Sequence, residues 1–326
     1  MKGKVVVTGA AGFIGSHLCE RLLDEGYSVT GIDCFTDYYS PERKRGHLSN
    51  VLKRDGFALV EEDLTTCSLE DLFEGAECVF HLAAQAGVRH SWGLEFSHYI
   101  ESNILATQKV LEALKKLDSI RLIYSSSSSV YGETNDLPMR EDHRLKPISP
   151  YGATKLSAEH LCELYRLNFG ISYTALRYFT VYGPRQRPDM AFSRFITSAL
   201  CQRPLDIYGD GKQTRDFTYV SDAVEANIEA IRYDGPVRIF NIGGGGRVTL
   251  LEVLGIIERE IGSRLEVRFS DRAKGDVTDT WADTSSARSE LGFNPSVPLG
   301  DGVRREIDWY RAYLDANEGR TSSGGD

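Results

Sequence analysis

Tyr151-Gly152-Ala153-Thr154-Lys155 opens a segment of helical periodicity, and a tyrosine and a lysine four residues apart share one face of a helix. A phenol with an ordinary pKa of about 10 acts as a base near neutrality only beside a cation, and Lys155 is placed to supply one. Upstream, an apolar run over residues 121–125 continues into Ser126-Ser127-Ser128-Ser129-Val130-Tyr131-Gly132. As a strand of an open α/β sheet, that run would gather the hydroxyls at its carboxyl end, where such sheets bind ligands. Phenol, ammonium and hydroxyls together could move a proton to and from a substrate oxygen.

A second constellation lies at the start of the chain. Residues 4–8 read as a strand, and Thr8-Gly9-Ala10-Ala11-Gly12-Phe13-Ile14-Gly15 follows at once, with glycine at every third position ahead of a helix. Side chains there would block the tight turn, the approach of a pyrophosphate and the packing of helix on strand. Asp33 closes the next strand 24 residues after Gly9, near the position of a ribose-binding carboxylate. The set predicts a dinucleotide. An acid at Asp33 would repel a 2′-phosphate, which favours NAD over NADP. Arg43, Lys44 and Arg45 follow and read as the solvated start of a basic helix.

Positioning these groups requires alternating strands and helices, and the first half of the chain supplies them. Helical spacing over residues 12–25, 102–117 and 151–168 alternates with apolar runs over 4–8, 28–33, 58–62, 78–82, 121–125 and 172–177. That alternation predicts an α/β fold, a doubly wound parallel sheet of the Rossmann type. After about Gly183 the pattern loosens into Gly, Pro and Arg clusters between short elements, which reads as a smaller C-terminal mixed α/β substrate lobe. The expected division is 1–183 for the dinucleotide and 184–317 mainly for the substrate, with the chain free to cross back between lobes. Residues 318–326, polar and glycine-rich, are expected to form a disordered tail.

Of the 326 residues 41% are hydrophobic and 26% charged, ordinary globular values that exclude general disorder, collagen and coiled coil. Thirty-eight Lys and Arg against 47 Asp and Glu leave a net charge of −9, so the long-range field disfavours nucleic acid and anionic membranes as partners. No run reaches the roughly 20 apolar residues of a membrane span, and a strand beginning within four residues leaves no room for a signal peptide. Cys19, Cys34, Cys67, Cys78, Cys162 and Cys201 are scattered, with no CxxC and no histidine at metal-ligand spacing. Reduced thiols in a cytoplasmic protein are expected, with neither a disulfide framework nor a metal site.

With both constellations in view, the sequence resembles the extended short-chain dehydrogenase/reductase family and, within it, the nucleotide-sugar epimerases. The resemblance covers residues 2 to about 312. It is carried by TGAAGFIG, Asp33, Asp63-Leu64, His81-Leu82-Ala83-Ala84, Asn103, SSSSSVYG, YGATK and Arg177-Tyr178-Phe179. It implies NAD held by Gly9, Gly12, Phe13, Ile14, Gly15, Asp33, Asp63, Leu64, Leu82, Ala83, Ala84, Asn103, Tyr151, Lys155 and Tyr178. Matching the serine motif back from Val130 places the family's catalytic Ser/Thr at Ser127. Its implied role is to hydrogen-bond the sugar 4-oxygen while Tyr151 takes or returns the hydroxyl proton and Lys155 bridges the ribose and tunes the phenol. The resemblance also implies a homodimer, with helices near 103–117 and 157–167 at the interface, although core packing explains their amphipathic faces equally well.

Dehydratases of this family resemble the chain but carry an acidic pair where Ser128 and Ser129 stand, so no acid is present to protonate a leaving hydroxyl. What remains is oxidation at C4, followed by re-reduction on the opposite face or, for a uronic acid, decarboxylation. The run RYFTVYGPRQRPDMA, from Arg177 to Ala191, looks like UDP-glucuronate 4-epimerases, whereas UDP-glucose 4-epimerases typically carry Asn at the place of Thr180. The resemblance therefore implies NAD-dependent conversion of UDP-glucuronate to UDP-galacturonate by transient C4 oxidation, rotation of the 4-keto sugar and re-reduction, without decarboxylation.

A 4-keto uronate is a β-keto acid and loses carbon dioxide unless its carboxylate is held charged, hydrogen-bonded and badly oriented for cleavage. Ser128, Ser129 and Thr180 offer donors for that purpose, and Arg187 could add charge. The alternative for Ser128 and Ser129 is capping of backbone groups at a strand end. Arg194 and Arg215 match family positions that bind the nucleotide, and Asp276 matches a carboxylate that contacts the uridine ribose. The family's frequent arginine three residues before that aspartate is replaced by Ala273, with Arg272 one place earlier. Thr280 stands where a bulkier residue is common, which hints at a roomier sugar pocket. The rival readings are a UDP-glucose or UDP-N-acetylglucosamine 4-epimerase, a UDP-glucuronate decarboxylase, and a non-catalytic NAD-binding regulatory protein.

Overall fold

Three consecutive valines, Val5, Val6 and Val7, are all fully buried and set the layering of the molecule. Alternate strand residues face opposite sides, so Val5 and Val7 join one hydrophobic core while Val6 joins another. Such a strand belongs in a sheet covered on both faces. In the computed structural model, which describes residues 2–321 and side chains up to residue 316, that sheet has seven parallel strands.

Six come from the stretch up to Tyr178: β1 (Lys4–Thr8), β2 (Ser28–Ile32), β3 (Phe57–Val60), β4 (Ala76–His81), β5 (Arg121–Ser127) and β6 (Tyr173–Tyr178). The second half contributes β7 (Val181–Tyr182), β8 (Leu205–Tyr208), β9 (Thr214–Arg215), β10 (Thr218–Tyr219), β11 (Ile239–Ile242), β12 (Val248–Thr249) and β13 (Val267–Ser270). Of these, β11 joins the main sheet, whose order is β11-β6-β5-β4-β1-β2-β3, and the others form two-stranded ribbons. The order reverses between β1 and β4, which opens a crevice beyond their carboxyl ends. The fold is a Rossmann-type doubly wound sheet.

The helices are α1 (Phe13–Asp24), α2 (Pro41–His47), α3 (Leu69–Phe73), α4 (Phe96–Tyr99), α5 (Ala106–Leu114), α6 (Pro150–Phe169), α7 (Ala191–Leu200), α8 (Val220–Arg232), α9 (Leu250–Ile261) and α10 (Leu299–Thr321). α1 and α8 pack together on one face of the sheet, and α3, α5 and α6 on the other. Thus α8 and β11, although late in the chain, belong to the layer built by the first 183 residues.

Two expectations change. The helix expected over 102–117 is divided: residues Ile100–Leu105 widen into a π-helical segment before α5. Residues 318–321, expected in a disordered tail, belong to α10, and 322–326 lie outside the described residues. No helix among the described residues is long and apolar enough to cross a membrane, and the six cysteines are free.

Candidate active site

The crevice at the sheet's reversal widens into a cavity of about 890 Å³ that reaches from the glycine turn to Arg215 and Asp276. Its floor is the turn between β1 and α1. Gly9 has φ +71°, and a Cβ there would lie 2.7 Å from the Ala83 amide nitrogen; one on Gly15 would lie 2.1 Å from the Gly9 carbonyl oxygen. Gly12 is the N-cap of α1 and no side chain caps its first turn, and uncapped amide groups at a helix start favour an anion. Asp33 stands at the end of β2, accepting from the Ala11 amide at 3.0 Å and the Phe35 amide at 2.9 Å. Burial raises its pKa, and the Lys44 charge opposes that rise.

The basic helix after Asp33 is not a solvated one. Lys44 is buried and donates through Nζ to the Thr36 carbonyl at 2.6 Å, while Arg43 donates to the Gln186 carbonyl at 2.9 Å and the Tyr310 hydroxyl at 2.8 Å. Only Arg45 of the three matches the expectation, pairing with Glu61 at the surface. The short α2 uses two of its three cations to fasten loops.

Phe13, Ile14, Asp63, Leu64, Leu82, Ala83, Ala84 and Tyr178 line the same cavity, with Gly9, Gly12, Gly15 and Asp33. Asn103 does not. It is buried, its Oδ1 accepts from the Gln85 amide at 2.8 Å, and its Nδ2 donates to the Gln85 carbonyl at 3.0 Å and to Thr154 Oγ1 at 2.9 Å. The π-helical turn directs it inward, where it holds the segment after β4. His81 is likewise internal: it bonds with Thr8 Oγ1 at 2.8 Å and Thr107 Oγ1 at 3.0 Å, and burial lowers its pKa to about 3.

α6 delivers Tyr151 and Lys155. Ser149 caps it by accepting from the Gly152 amide at 3.1 Å, and Pro150 occupies the first turn, where its missing N–H costs nothing. Two turns on, buried Glu159 forms a bidentate pair with Arg177 of β6 at 2.8 and 3.0 Å, which locks the helix to the sheet. Lys155 Nζ donates to the Ser125 carbonyl at 2.8 Å, and burial lowers its pKa to about 8.

Burial raises the pKa of the Tyr151 phenol, while the Ser127 hydroxyl and the Arg187 charge pull it down. Arg187 is thus a cation acting on the phenol, a part that sequence reasoning gave to Lys155. The edge-on ring of Tyr99, 6.2 Å away, flanks Tyr151. Capping at the end of β5 falls to Ser127, whose Oγ accepts from the Ser129 amide at 3.2 Å and donates to Ser129 Oγ at 3.1 Å.

Ser127, Ser128, Ser129, Thr180, Arg187, Arg194, Arg215 and Asp276 all line the cavity. Three groups missed by sequence reasoning join them. Arg187 is paired with Asp189, on which Tyr38 also donates. Arg89, from the loop after β4, donates to Asp276 at 2.8 Å and lies over the Tyr208 ring, which Arg194 also approaches. Arg215 uses three donors on the carbonyls of Thr214, Val277 and Thr278. Arg272 pairs with Glu133 and donates to the Asp276 backbone carbonyl at 2.7 Å, while the cation on the Asp276 carboxylate is Arg89. Thr280 is buried, accepts from the Asp216 amide at 3.3 Å and is not among the residues that line the cavity. Among the described residues no group of His, Cys, Asp and Glu is arranged to hold a metal.

The cradle around Gly9 and Gly15, the uncapped start of α1 and the buried Asp33 fit a dinucleotide. The comparisons agree. The model of the NAD dependent epimerase/dehydratase family matches residues 5–243, and the chain belongs to that family. It is 46% identical over 313 residues to an uncharacterised UDP-glucose epimerase, YtcB, of Bacillus subtilis, covering 95% of this chain and 98% of that one. It is 37% identical over 318 residues to a UDP-glucuronate 4-epimerase of Thermodesulfobacterium geofontis, covering 96% and 98%. The crystal structure of a UDP-glucuronic acid 4-epimerase from Bacillus cereus, in complex with UDP-glucuronic acid and NAD, superposes with a TM-score of 0.93 at 43% identity, covering 95% and 99%.

Proposed function

We propose that the protein is an NAD-dependent 4-epimerase interconverting UDP-glucuronate and UDP-galacturonate. One observation carries the reading: Tyr151, Lys155 and Ser127 share one cavity with the hydroxyls of Ser128, Ser129 and Thr180, and none of these positions carries the acid that elimination would need. The family membership and the likeness to the Bacillus cereus enzyme support it.

NAD, held by the Gly9–Gly15 turn, Asp33, Asp63 and the wall from Leu64 to Ala84, supplies when bound the two-electron acceptor and donor for C4. Tyr151 takes the proton of the sugar 4-hydroxyl while Ser127 hydrogen-bonds the same oxygen. Lys155, placed one turn below, favours the phenolate and reaches toward the ribose, and Arg187 adds to its field. Arg89, Arg194 and Arg215 hold the diphosphate, which leaves the 4-keto sugar free to turn about its link to it. Ser128, Ser129 and Thr180 keep the carboxylate hydrogen-bonded, so that its bond to C5 stays out of line for loss of carbon dioxide. Tyr151 then returns the proton to the 4-oxygen as C4 is re-reduced on its opposite face.

In this reading residues 1–183 with α8 and β11 form the NAD-binding part and the rest of 184–317 the nucleotide-sugar part. Exposed Leu105, Leu164, Leu167 and Phe169 on the α5 and α6 side form the face of a homodimer. Six free cysteines favour a cytoplasmic setting.

The test is proton NMR of the purified protein with UDP-glucuronate and no added cofactor, with UDP-glucose run beside it. UDP-galacturonate is the expected product. A UDP-pentose would make the protein a decarboxylase, and turnover of UDP-glucose alone would overturn the substrate assignment.

A further inference from the structure

Arg187 does not face the cavity as a lone cation. Its Nε and Nη2 each donate to one oxygen of Asp189 at 3.0 Å, a bidentate pair whose side chains are 19% and 27% exposed. Tyr38 completes the cluster: its hydroxyl donates to Asp189 Oδ2 at 3.3 Å, and its ring lies 5.8 Å from the guanidinium carbon. Gly87, at φ +110°, closes over it, since a Cβ there would lie 2.7 Å from the Tyr38 hydroxyl. The loop that carries the pair is itself pinned. Gln186 donates to the Val181 carbonyl and accepts from the Ser193 amide, both at 3.0 Å, and its own carbonyl accepts from Arg43.

The formal charges of the pair therefore cancel, and the pair lines the same cavity as the hydroxyls proposed to hold a uronate. We propose that Asp189 is a specificity-determining residue: held by Tyr38 as the counter-ion of Arg187, it masks that cation and limits how far the site prefers a uronate over a neutral hexose. The inference rests on the reading of this cavity as a UDP-sugar 4-epimerase site. A bare guanidinium would draw a sugar carboxylate strongly and do little for a hydroxymethyl group. A masked one leaves recognition to Ser128, Ser129 and Thr180, which can serve either. Asp189→Asn keeps the side chain's size and one acceptor for Arg187 but removes the negative charge.

The experiment measures kcat/KM for UDP-glucuronate and for UDP-glucose on the NAD-loaded protein, comparing wild type with Asp189→Asn, Tyr38→Phe, Arg187→Gln and the Arg187→Gln/Asp189→Asn double variant. The ratio of uronate to glucose is expected to rise about tenfold or more in Asp189→Asn, less in Tyr38→Phe, and not at all when Asp189→Asn is added to Arg187→Gln. A ratio in Asp189→Asn that falls or stays within about twofold of wild type overturns the proposal, as does an equal rise in the Arg187→Gln background. If Asp189→Asn does not fold, an unchanged ratio in Tyr38→Phe overturns it.

Failure of the functional reading looks different. A wild type that turns over neither sugar overturns that reading, and the mask is then judged by the affinity of Asp189→Asn for UDP-glucuronate over UDP-glucose, a preference unchanged from wild type counting against it. A wild type limited to UDP-glucose, with uronate turnover gained in Asp189→Asn, overturns the substrate and supports the mask.

Discussion

Lys155 donates to the backbone carbonyl of Ser125 at 2.8 Å, and this bond ties the second turn of α6 to the end of β5. Tyr151, one turn earlier on the same face, is thereby set beside Ser127, two residues beyond Ser125 on the strand. The proposed proton carrier and the hydroxyl proposed to share its substrate oxygen are registered by one helix and one strand. Arg177, paired with Glu159 on α6, keeps the two elements from sliding.

Replacing Tyr151 by Phe removes the proton carrier and leaves the cradle for NAD intact. Turnover is expected to fall about 10²–10⁴-fold, with NAD still bound. Product NMR gives the rate, and the nucleotide released on denaturation gives the occupancy. Retention of more than a few per cent of wild-type activity would mean that the base lies elsewhere.

Ser128 and Thr180 are assigned to the carboxylate, so Ser128→Ala or Thr180→Ala should loosen it. The expected result is more carbon dioxide and UDP-pentose per turnover, or a weaker preference for UDP-glucuronate over UDP-glucose. An unchanged product mixture together with an unchanged preference would remove both residues from carboxylate recognition.

Arg89 crosses from the loop after β4 to Asp276, beside Arg194 over the same tyrosine ring. Arg89→Ala is expected to raise KM about 10–100-fold while kcat changes little, the pattern of a lost binding contact. Affinity for UDP, measured by calorimetry, should fall in parallel. Wild-type affinity for UDP would detach Arg89 from the diphosphate.

Glu306 of α10 is fully buried, and burial lifts its pKa well above 4.5 against the Gly183 amide and the Arg43 charge. Because the folded pKa exceeds the unfolded one, the folded state keeps a proton that the unfolded chain has released. Stability contributed by this group is present below about pH 4.5 and declines above it, by about 1.4 kcal/mol per pH unit until the buried carboxyl ionises. Glu306→Gln should remove that slope, so its advantage over wild type in urea unfolding should be larger at pH 8 than at pH 5. An equal difference at both would show that Glu306 titrates as in the unfolded chain.

Much of the site was legible in the residues. The glycine turn is backbone chemistry at a fixed spacing, the Tyr151/Lys155 pair follows from the helical period, and the serine run follows from a strand ending where such sheets take ligands. Asn103, expected at the cofactor, bonds with Gln85 and Thr154, because a π-helical turn directs it there. Arg43 and Lys44 are not solvated as their charge suggests, because the Gln186 carbonyl covers Arg43 from across the chain and the Thr36 carbonyl, in the loop just before α2, covers Lys44.

The alternation of strands and helices, the dinucleotide turn and the Tyr151/Lys155 pair are written in residue type and spacing, since all are set by interactions within a turn or two of the chain. Which charges meet is settled by folding. Tyr38 reaches Asp189 across 151 residues and Arg89 reaches Asp276 across 187. Whether a cation is solvated, masked by an acid or free for a phosphate depends on the neighbours that folding brings within hydrogen-bond reach, and spacing along the chain carries no record of that.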